Sequence, residues 1–346
     1  MKKIKLVLLA TLLLFCAVPY ATATTQTDLN DFMVTLDAAT VLAQPDMDKL
    51  VSYVNNEFGK MMPFNATLGN NYTANICEFP GVGFGVQVGA TMSKINLDGL
   101  KSLDLQYVPK DSFDKIPSNF QLPYPAINFH LKTGLPFMPI KTDLGVRGFR
   151  FNYTLKQEDT EVRLGMNSWG VETRFEIIAD KAENIFGLIS LVSFDSYAGN
   201  IGVKMLNSNT QQNTMNTIPY DTRYDVTVTA DVDWNIQSLG LKFILNKSLF
   251  FLNPYIGVGV NLNSGVNNAG LSIKSNVTMS PVSDPNDQAT GTVEAKSTNT
   301  KPPKSTDFRL IGGLDFKFPI FIIGASYEWG GSDIYGASLA IRFQIP

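Results

Sequence analysis

The C-terminal residues 307–346 alternate between apolar and polar positions with a period of two. From Phe308 to Phe316 every second residue is apolar or glycine, and the residues between them include Arg309 and Asp315. The alternation resumes over residues 321–329 and again over residues 335–344. A period of two is typical of β-strands whose two faces meet different surroundings. Three successive strands of about ten residues, with aromatic residues near their ends, predict part of a transmembrane β-barrel.

Alternating segments recur through residues 66–346, most clearly at Val82–Met92, Trp169–Ala179 and Tyr224–Trp234. Together they predict an all-β fold, an antiparallel transmembrane β-barrel of about 12–14 strands. Two polar stretches, 207–223 and 283–306, contain few apolar residues and are predicted to be long loops.

Helical periodicity is convincing only within residues 24–65. Apolar residues recur three and four positions apart from Leu29 to Leu36, and again, after Pro45, from Met47 to Phe58. These series predict a short helical segment made of two amphipathic helices, each with one apolar stripe that needs cover. Two arrangements remain open, because the helices can pack on each other in the periplasm or enter the barrel as a plug.

The first 23 residues have the three parts of a secretory signal peptide, namely Lys2, Lys3 and Lys5, an apolar run from Leu6 to Val18, and the motif Ala21-Thr22-Ala23. Removal of this leader also removes Cys16 and leaves Cys77 alone, which excludes an intramolecular disulfide. A leader without a disulfide framework fits a bacterial envelope protein. The predicted location is therefore the bacterial outer membrane, after cleavage near Ala23.

Composition narrows the class of protein further. Charged residues make up 17% of the chain, below the ~25% of ordinary soluble domains. The net charge of −3 and the absence of a basic cluster give no reason to expect nucleic acid. A soluble β-sandwich would have to bury its apolar strand faces against a second sheet, and nothing in the sequence indicates such a partner.

The three tryptophans, Trp169, Trp234 and Trp329, lie at the ends of predicted strands, where membrane barrels carry interfacial aromatic residues. With the leader and the alternating strands, the chain resembles bacterial outer-membrane β-barrel proteins of the porin-like kind. The helical segment before the strands is similar in architecture to long-chain fatty-acid transporter barrels. The C-terminus departs from the usual aromatic end, because Gln344-Ile345-Pro346 follows Phe343.

Charged residues at inward positions of the predicted strands are candidates for the lining of the lumen. They are Glu172, Arg174, Asp225, Asp231, Asp233, Lys242, Arg309, Asp315 and Arg342. Because both signs are present, strong ion selectivity is not expected. His130 is the only histidine of the sequence. Outer-membrane phospholipases pair a histidine with a serine two residues along the strand, but here that position is Lys132. We therefore predict that the protein has no catalytic residue, no metal site and no cofactor, and that it is not an enzyme.

The sequence favours a passive channel or transporter for small solutes, including hydrophobic ones. The alternative is a non-conducting surface-exposed barrel that acts in adhesion or envelope structure. The expected partners are outer-membrane lipids, the envelope assembly machinery and a small solute. No nucleic acid is expected, and the pattern does not predict an oligomeric state.

Overall fold

The computed structural model of the protein describes residues 25–68, 75–94, 96–106, 121–181, 183–215, 218–286, 288–331 and 333–345. Within these residues there are two helices, α1 (Thr25–Ala66) and α2 (Leu97–Lys101). The strands are β1 (Val82–Lys94), β2 (Gln121–Gly134), β3 (Thr142–Gln157), β4 (Thr160–Ile178), β5 (Gly187–Met215), β6 (Ile218–Asn246), β7 (Leu252–Pro281), β8 (Ala289–Lys301), β9 (Thr306–Lys317), β10 (Phe321–Trp329) and β11 (Ile334–Ile345). The predicted signal peptide, residues 1–23, lies outside the described residues.

The strands form one antiparallel sheet that closes on itself, because β1 pairs with β11 and β6 pairs with β7. Strands β8 and β9 both pair with β7 and continue a single ladder. Lys301 lies opposite Asn267 and, five residues further along both strands, Thr306 lies opposite Leu262. Pro302 interrupts this ladder because proline has no N–H to donate. The described residues contain eleven strands, and β8 and β9 follow one another along the same edge of β7. The ring therefore has ten strands within the described residues, an even number as in bacterial single-chain membrane barrels.

The predicted antiparallel β-barrel is confirmed, but the described residues contain eleven strands instead of 12–14. Strands β5, β6 and β7 are 29, 29 and 30 residues long, and each joins two segments that the pattern separates. Residues 75–79, shortly before β1, contain no strand. The polar stretches 207–223 and 283–306 differ most, since they are largely strand and not loop. Cross-strand backbone bonds hold these polar hairpins, which need no apolar side chains to pair.

Part-way along the long strands, the apolar side chains change from the outward face to the inward face, and the polar side chains change in the opposite direction. We call the end of the barrel at Val82 and Ile345 the lower end, and the opposite end the upper end. On β6 the even-numbered residues point inward throughout: Ser238 and Lys242 are buried in the lower part, and Trp234 in the upper part. The outward residues change in the opposite sense, from Leu239, which is exposed in the lower part, to polar residues in the upper part.

This exchange follows one row of paired residues, which we call the inversion row. Its members are Gly148, Trp169, Ser196, Gln237 and Ser264. Two positions below the row, every strand exposes an apolar side chain, namely Val146, Val171, Phe194, Leu239 and Leu262. Above it, the outward residues of β3, β4 and β6 are polar, beginning with Arg150, Asn167 and Asn235. A strand that leaves lipid for water has to change its outer face in this way, so the row marks the upper edge of an apolar belt.

Above the row, the upper parts of β5, β6 and β7 together with β8 form a wall around α1, which we call the upper wall. Met47 and Val51 of α1 are buried against its inward apolar residues, including Ile273. Asn55 donates a hydrogen bond of 2.8 Å to the backbone carbonyl of Asn299 on β8. The helix is continuous through Pro45, where the pattern predicted two helices, because this packing stabilises helical geometry despite the lost backbone bond. Among the residues that the structure describes, no helix has both the length and the apolar composition needed to cross a membrane.

Candidate functional site

The interior of the lower barrel is polar and almost completely shielded from solvent. Among the described residues, its strands contribute six buried cationic and six buried anionic side chains. The cationic residues are Lys132, Arg147, Arg174, Lys242, Arg309 and Arg342. The anionic residues are Asp143, Glu172, Asp195, Asp307, Asp315 and Glu328. Burying charge is tolerable only where it is paired and hydrogen-bonded, and the equal numbers fit that requirement.

Strand register brings the opposite charges together. Asp143 and Arg174 are direct cross-strand partners on β3 and β4, and their side chains form an ion pair. Arg309 on β9 donates to two carboxylates, at 2.8 Å to Asp307 and at 2.9 Å to Glu328. Such charge-assisted bonds are short and strong in a site shielded from solvent, so they fix these side chains inside the barrel.

Two of the ion pairs reach across an intervening strand over a glycine. Arg147 and Asp195 lie on β3 and β5, and Gly170 of β4 occupies the same row between them. A Cβ at Gly170 would collide with the Asp195 carboxylate and lie 3.0 Å from Arg147 Nε. Lys132 and Glu172 are paired across Gly145 in the same manner. These inward glycines therefore provide the space in which charged side chains of alternate strands meet.

The last turn of α1 lies within this polar interior. Met61, Met62 and Phe64 near the end of the helix, and Leu68 just after it, are buried and no more than 1% exposed. The final carbonyl groups of a helix have no partner within the helix and carry the negative end of its dipole. Three cations of the lumen donate to carbonyls of this region: Arg309 to Pro63 at 3.3 Å, Arg147 to Ala66 at 3.4 Å and Lys242 to Thr67 at 3.4 Å. The strands therefore cap the end of the helix from several sides of the barrel.

Polar side chains of the last turn add bonds to the barrel wall. Asn65 accepts a bond of 2.7 Å from Thr91 and donates one of 2.9 Å to the Tyr197 hydroxyl. The Arg309 guanidinium also lies over the ring of Phe64, 4.1 Å from its centroid, in a cation–π contact. Helix and wall are thus joined by hydrogen bonds, charge and ring contacts at one level of the lumen.

Residues 75–77, which precede β1, bond to charged side chains near the lower end of the barrel. The carbonyl of Asn75 accepts bonds of 2.9 Å from Arg174 and from Arg342. The N–H of Cys77 donates to Asp143 at 2.8 Å. Leu68 lies in the lumen, and Asn75 therefore lies near the lower end of the barrel.

The structure places six of the nine predicted lining residues inside the barrel. They are Glu172, Arg174, Lys242, Arg309, Asp315 and Arg342. Asp225, Asp231 and Asp233 instead lie on the outer face of the upper wall, which corrects their prediction. The apolar residues with which they alternate point inward and cover α1, so those apolar residues do not face lipid. Partial burial and the neighbouring charge of Asp231 raise the pKa of Asp233.

The three tryptophans that were predicted to lie at the membrane interface have different surroundings in the structure. Trp169 and Trp329 point outward and are 50% and 43% exposed. Trp234 was expected at the membrane interface, but it is buried and packs edge-on against Tyr124 and beside Tyr197. The reason is that Trp234 lies above the inversion row, in the part of β6 where apolar side chains point inward.

Sequence reasoning missed half of the charged network. The missed residues are Lys132, Asp143, Arg147, Asp195, Asp307 and Glu328. For Lys132, Arg147 and Asp195 the signal was an inward glycine between opposite charges on alternate strands, and that signal is visible only when the register is known. His130 is buried among them, within the part of the chain that the structure describes.

The closed antiparallel ring, the outward apolar belt and the polar interior define an outer-membrane β-barrel. Residues 52–345 match the model of the Lsa36-like family, and the chain belongs to that family. No curated protein matches the chain.

Solved structures similar to the chain are also membrane barrels. The translocator domain of the autotransporter NalP from Neisseria meningitidis is 9% identical, with 81% of this chain and 92% of that chain covered and a TM-score of 0.30. Ail, the attachment invasion locus protein of Yersinia pestis, is 11% identical, with 77% and 98% covered and a TM-score of 0.24. The toluene transporter TbuX of Ralstonia pickettii is 9% identical, with 76% and 88% covered and a TM-score of 0.23.

Proposed function

We propose that this protein is a bacterial outer-membrane barrel that its own N-terminal helix keeps closed. In this proposal it acts as a surface-exposed protein in adhesion or envelope structure, and it does not conduct solutes. The observation that carries the proposal is the filled lumen, in which Arg147, Lys242 and Arg309 bind carbonyls at the end of α1. A conducting pore would instead need its polar lining in contact with water.

The energetics of the lumen support a closed state. Moving α1 out of the barrel would break the bonds to its terminal carbonyls and to Asn65 together. Each hydrogen bond to a charged group contributes about 1.5–3 kcal/mol, and a buried cation left without its partner is costly. Because several such bonds share one helix turn, they would have to break together, which opposes spontaneous opening.

The shape of the upper end supports the surface role. Membrane barrels of bacteria have short periplasmic turns and longer extracellular loops. At the lower end, β6 joins β7 over residues 247–251 and β9 joins β10 over residues 318–320. The upper wall extends beyond the apolar belt, and its outer face includes exposed Thr292, Glu294 and Lys296. We therefore assign the upper end to the outside of the cell, where this polar face can contact a macromolecular partner.

Conductance of the purified full-length protein in planar lipid bilayers tests whether the barrel is closed. We expect no steady channel at moderate voltage. The double variant Arg147→Met/Lys242→Met should show transient openings, because two of the three cations that hold the helix end are lost. Arg163→Met, on the exposed outer face of β4, is the matched control and should stay closed. Steady conductance by the unmodified protein would establish a channel and refute the proposal.

Labelling of intact cells with a membrane-impermeant maleimide tests the orientation. Thr292→Cys on the upper wall should react, whereas Ser248→Cys at the lower end should react only after the cells are opened. Cys77 is buried and serves as an internal control that should stay unlabelled. The reverse pattern would place the upper wall in the periplasm. The intact mass of the same protein checks the predicted cleavage near Ala23.

A further inference from the structure

The outward face of the lower barrel contains an apolar cleft at the junction of β7 and β9. Its volume is about 790 Å³. The side chains around it are Phe243, Leu245, Ile256, Leu310, Tyr327 and Trp329. These residues belong to the face that meets lipid, and none of them contributes to the charged lumen.

The floor of the cleft includes one glycine in an otherwise bulky row of residues. Leu188, Leu245, Ile256, Gly312 and Tyr327 are successive outward partners on β5, β6, β7, β9 and β10. A Cβ added at Gly312 would meet no atom within 4 Å among the described residues. The gap therefore has the width of one missing side chain, with large apolar side chains on both sides.

Neither the backbone nor the packing of the protein requires glycine at this position. Gly312 is not among the glycines with positive φ, so another residue could adopt its backbone conformation. It also differs from Gly145 and Gly170, where a side chain would collide with charged neighbours. A glycine within a strand weakens it and often marks a place where a ligand approaches closely.

We propose that the cleft over Gly312 binds one acyl chain of an outer-membrane lipid. The lining is almost entirely apolar, which disfavours a charged or strongly polar ligand. The cleft is continuous with the apolar belt below the inversion row, so hydrocarbon is the medium that reaches it. Tyr327 and Trp329 border it with an O–H and an N–H group, which aromatic residues at membrane interfaces commonly direct toward lipid headgroups.

Photolabelling with a fatty acid that carries a diazirine in its chain tests this site. The probe is added to the full-length protein in detergent, and labelled peptides are identified by mass spectrometry. We expect saturable labelling concentrated on β7, β9 and β10, with competition by unlabelled phospholipid. Gly312→Leu fills the gap and should abolish this labelling. Thr173→Leu adds similar bulk to the outward face of β4 and should leave it unchanged.

The folding of both variants is verified by heat-dependent gel mobility, because an intact barrel migrates differently before boiling. Labelling spread evenly around the belt, or labelling that Gly312→Leu does not change, would refute the proposal. Dimeric cross-links through the same residues would identify a second copy of the chain as the occupant and would also refute it. Failure of the closed-barrel function would leave this test unaffected, since the cleft lies on the opposite side of the wall.

Discussion

Replacement of Arg309 by methionine gives the most direct test of how the lumen holds α1. The variant keeps most of the side-chain length but removes the guanidinium. It therefore loses the bonds to Asp307 and Glu328, the bond of 3.3 Å to the Pro63 carbonyl and the contact with the Phe64 ring. All of these groups are buried, so water cannot replace the lost partner.

The expected loss of unfolding free energy is about 3–5 kcal/mol, the usual cost of removing one partner from a buried ion pair. The bonds are not additive, because residual partners remain for both carboxylates. Asn261 and Asn263 donate to Asp307 at 3.0 and 2.6 Å, and Lys242 lies 3.6 Å from Glu328. Because these partners remain, we expect the loss of unfolding free energy to lie at the lower end of that range.

Urea unfolding in detergent, followed by tryptophan fluorescence, measures this loss. Arg163→Met is the matched control, because Arg163 is 48% exposed and pairs with Glu161 on the outer surface. Exposed pairs contribute about 0.2–1 kcal/mol, so the control should change little. Adding Glu328→Gln to Arg309→Met should recover part of the loss by removing an underpaired charge. A loss below about 1 kcal/mol for Arg309→Met would refute the claim that this network holds the helix.

Three further predictions concern the lower turns, the inversion row and the core of the upper wall. Partial burial raises the pKa of Asp180, but bonds from Ser248 and Lys247 lower it more, so its folded pKa lies below the usual value. The contact therefore stabilises the fold above the usual aspartate pKa of about 3.9 and is lost as the pH falls below it, and Asp180→Asn should remove this acid dependence of stability. Leu241→Arg, on the lipid face of β6, should cost about 2–4 kcal/mol in lipid, whereas Thr229→Arg on the same face above the row should cost less than about 0.5 kcal/mol. Trp234→Ala should cost about 3–5 kcal/mol in urea unfolding, as expected for a buried aromatic residue.

Each of these predictions has a distinct contrary result. Equal acid sensitivity of the native protein and Asp180→Asn would mean that this carboxylate does not support the lower turns. Equal costs for the two arginine substitutions on β6 would contradict the change from lipid to water along that strand. Strong quenching of Trp234 by lipids with brominated acyl chains would contradict its burial against α1.

The sequence predicted the antiparallel barrel because alternation is a local property of each strand. It could not count the strands, because a straight strand that passes from lipid to water looks like two strands joined by a turn. At residues 235–238 of β6, the apolar positions change from even to odd, although the backbone continues without interruption. The predicted strand at 224–234 and the residues 239–246 therefore belong to one strand, β6.

The sequence by itself determined that each strand has two unlike faces, that the chain is too poor in charge for an ordinary soluble domain, and that residues 24–65 favour helix. The tertiary structure decided which face of each strand points inward. Asp231 and Arg309 both alternate with apolar neighbours, yet Asp231 faces outward and Arg309 lies buried against Phe64. The physical reason is that alternation records only a difference between two surroundings, and those surroundings are lipid and lumen below the inversion row but helix and water above it.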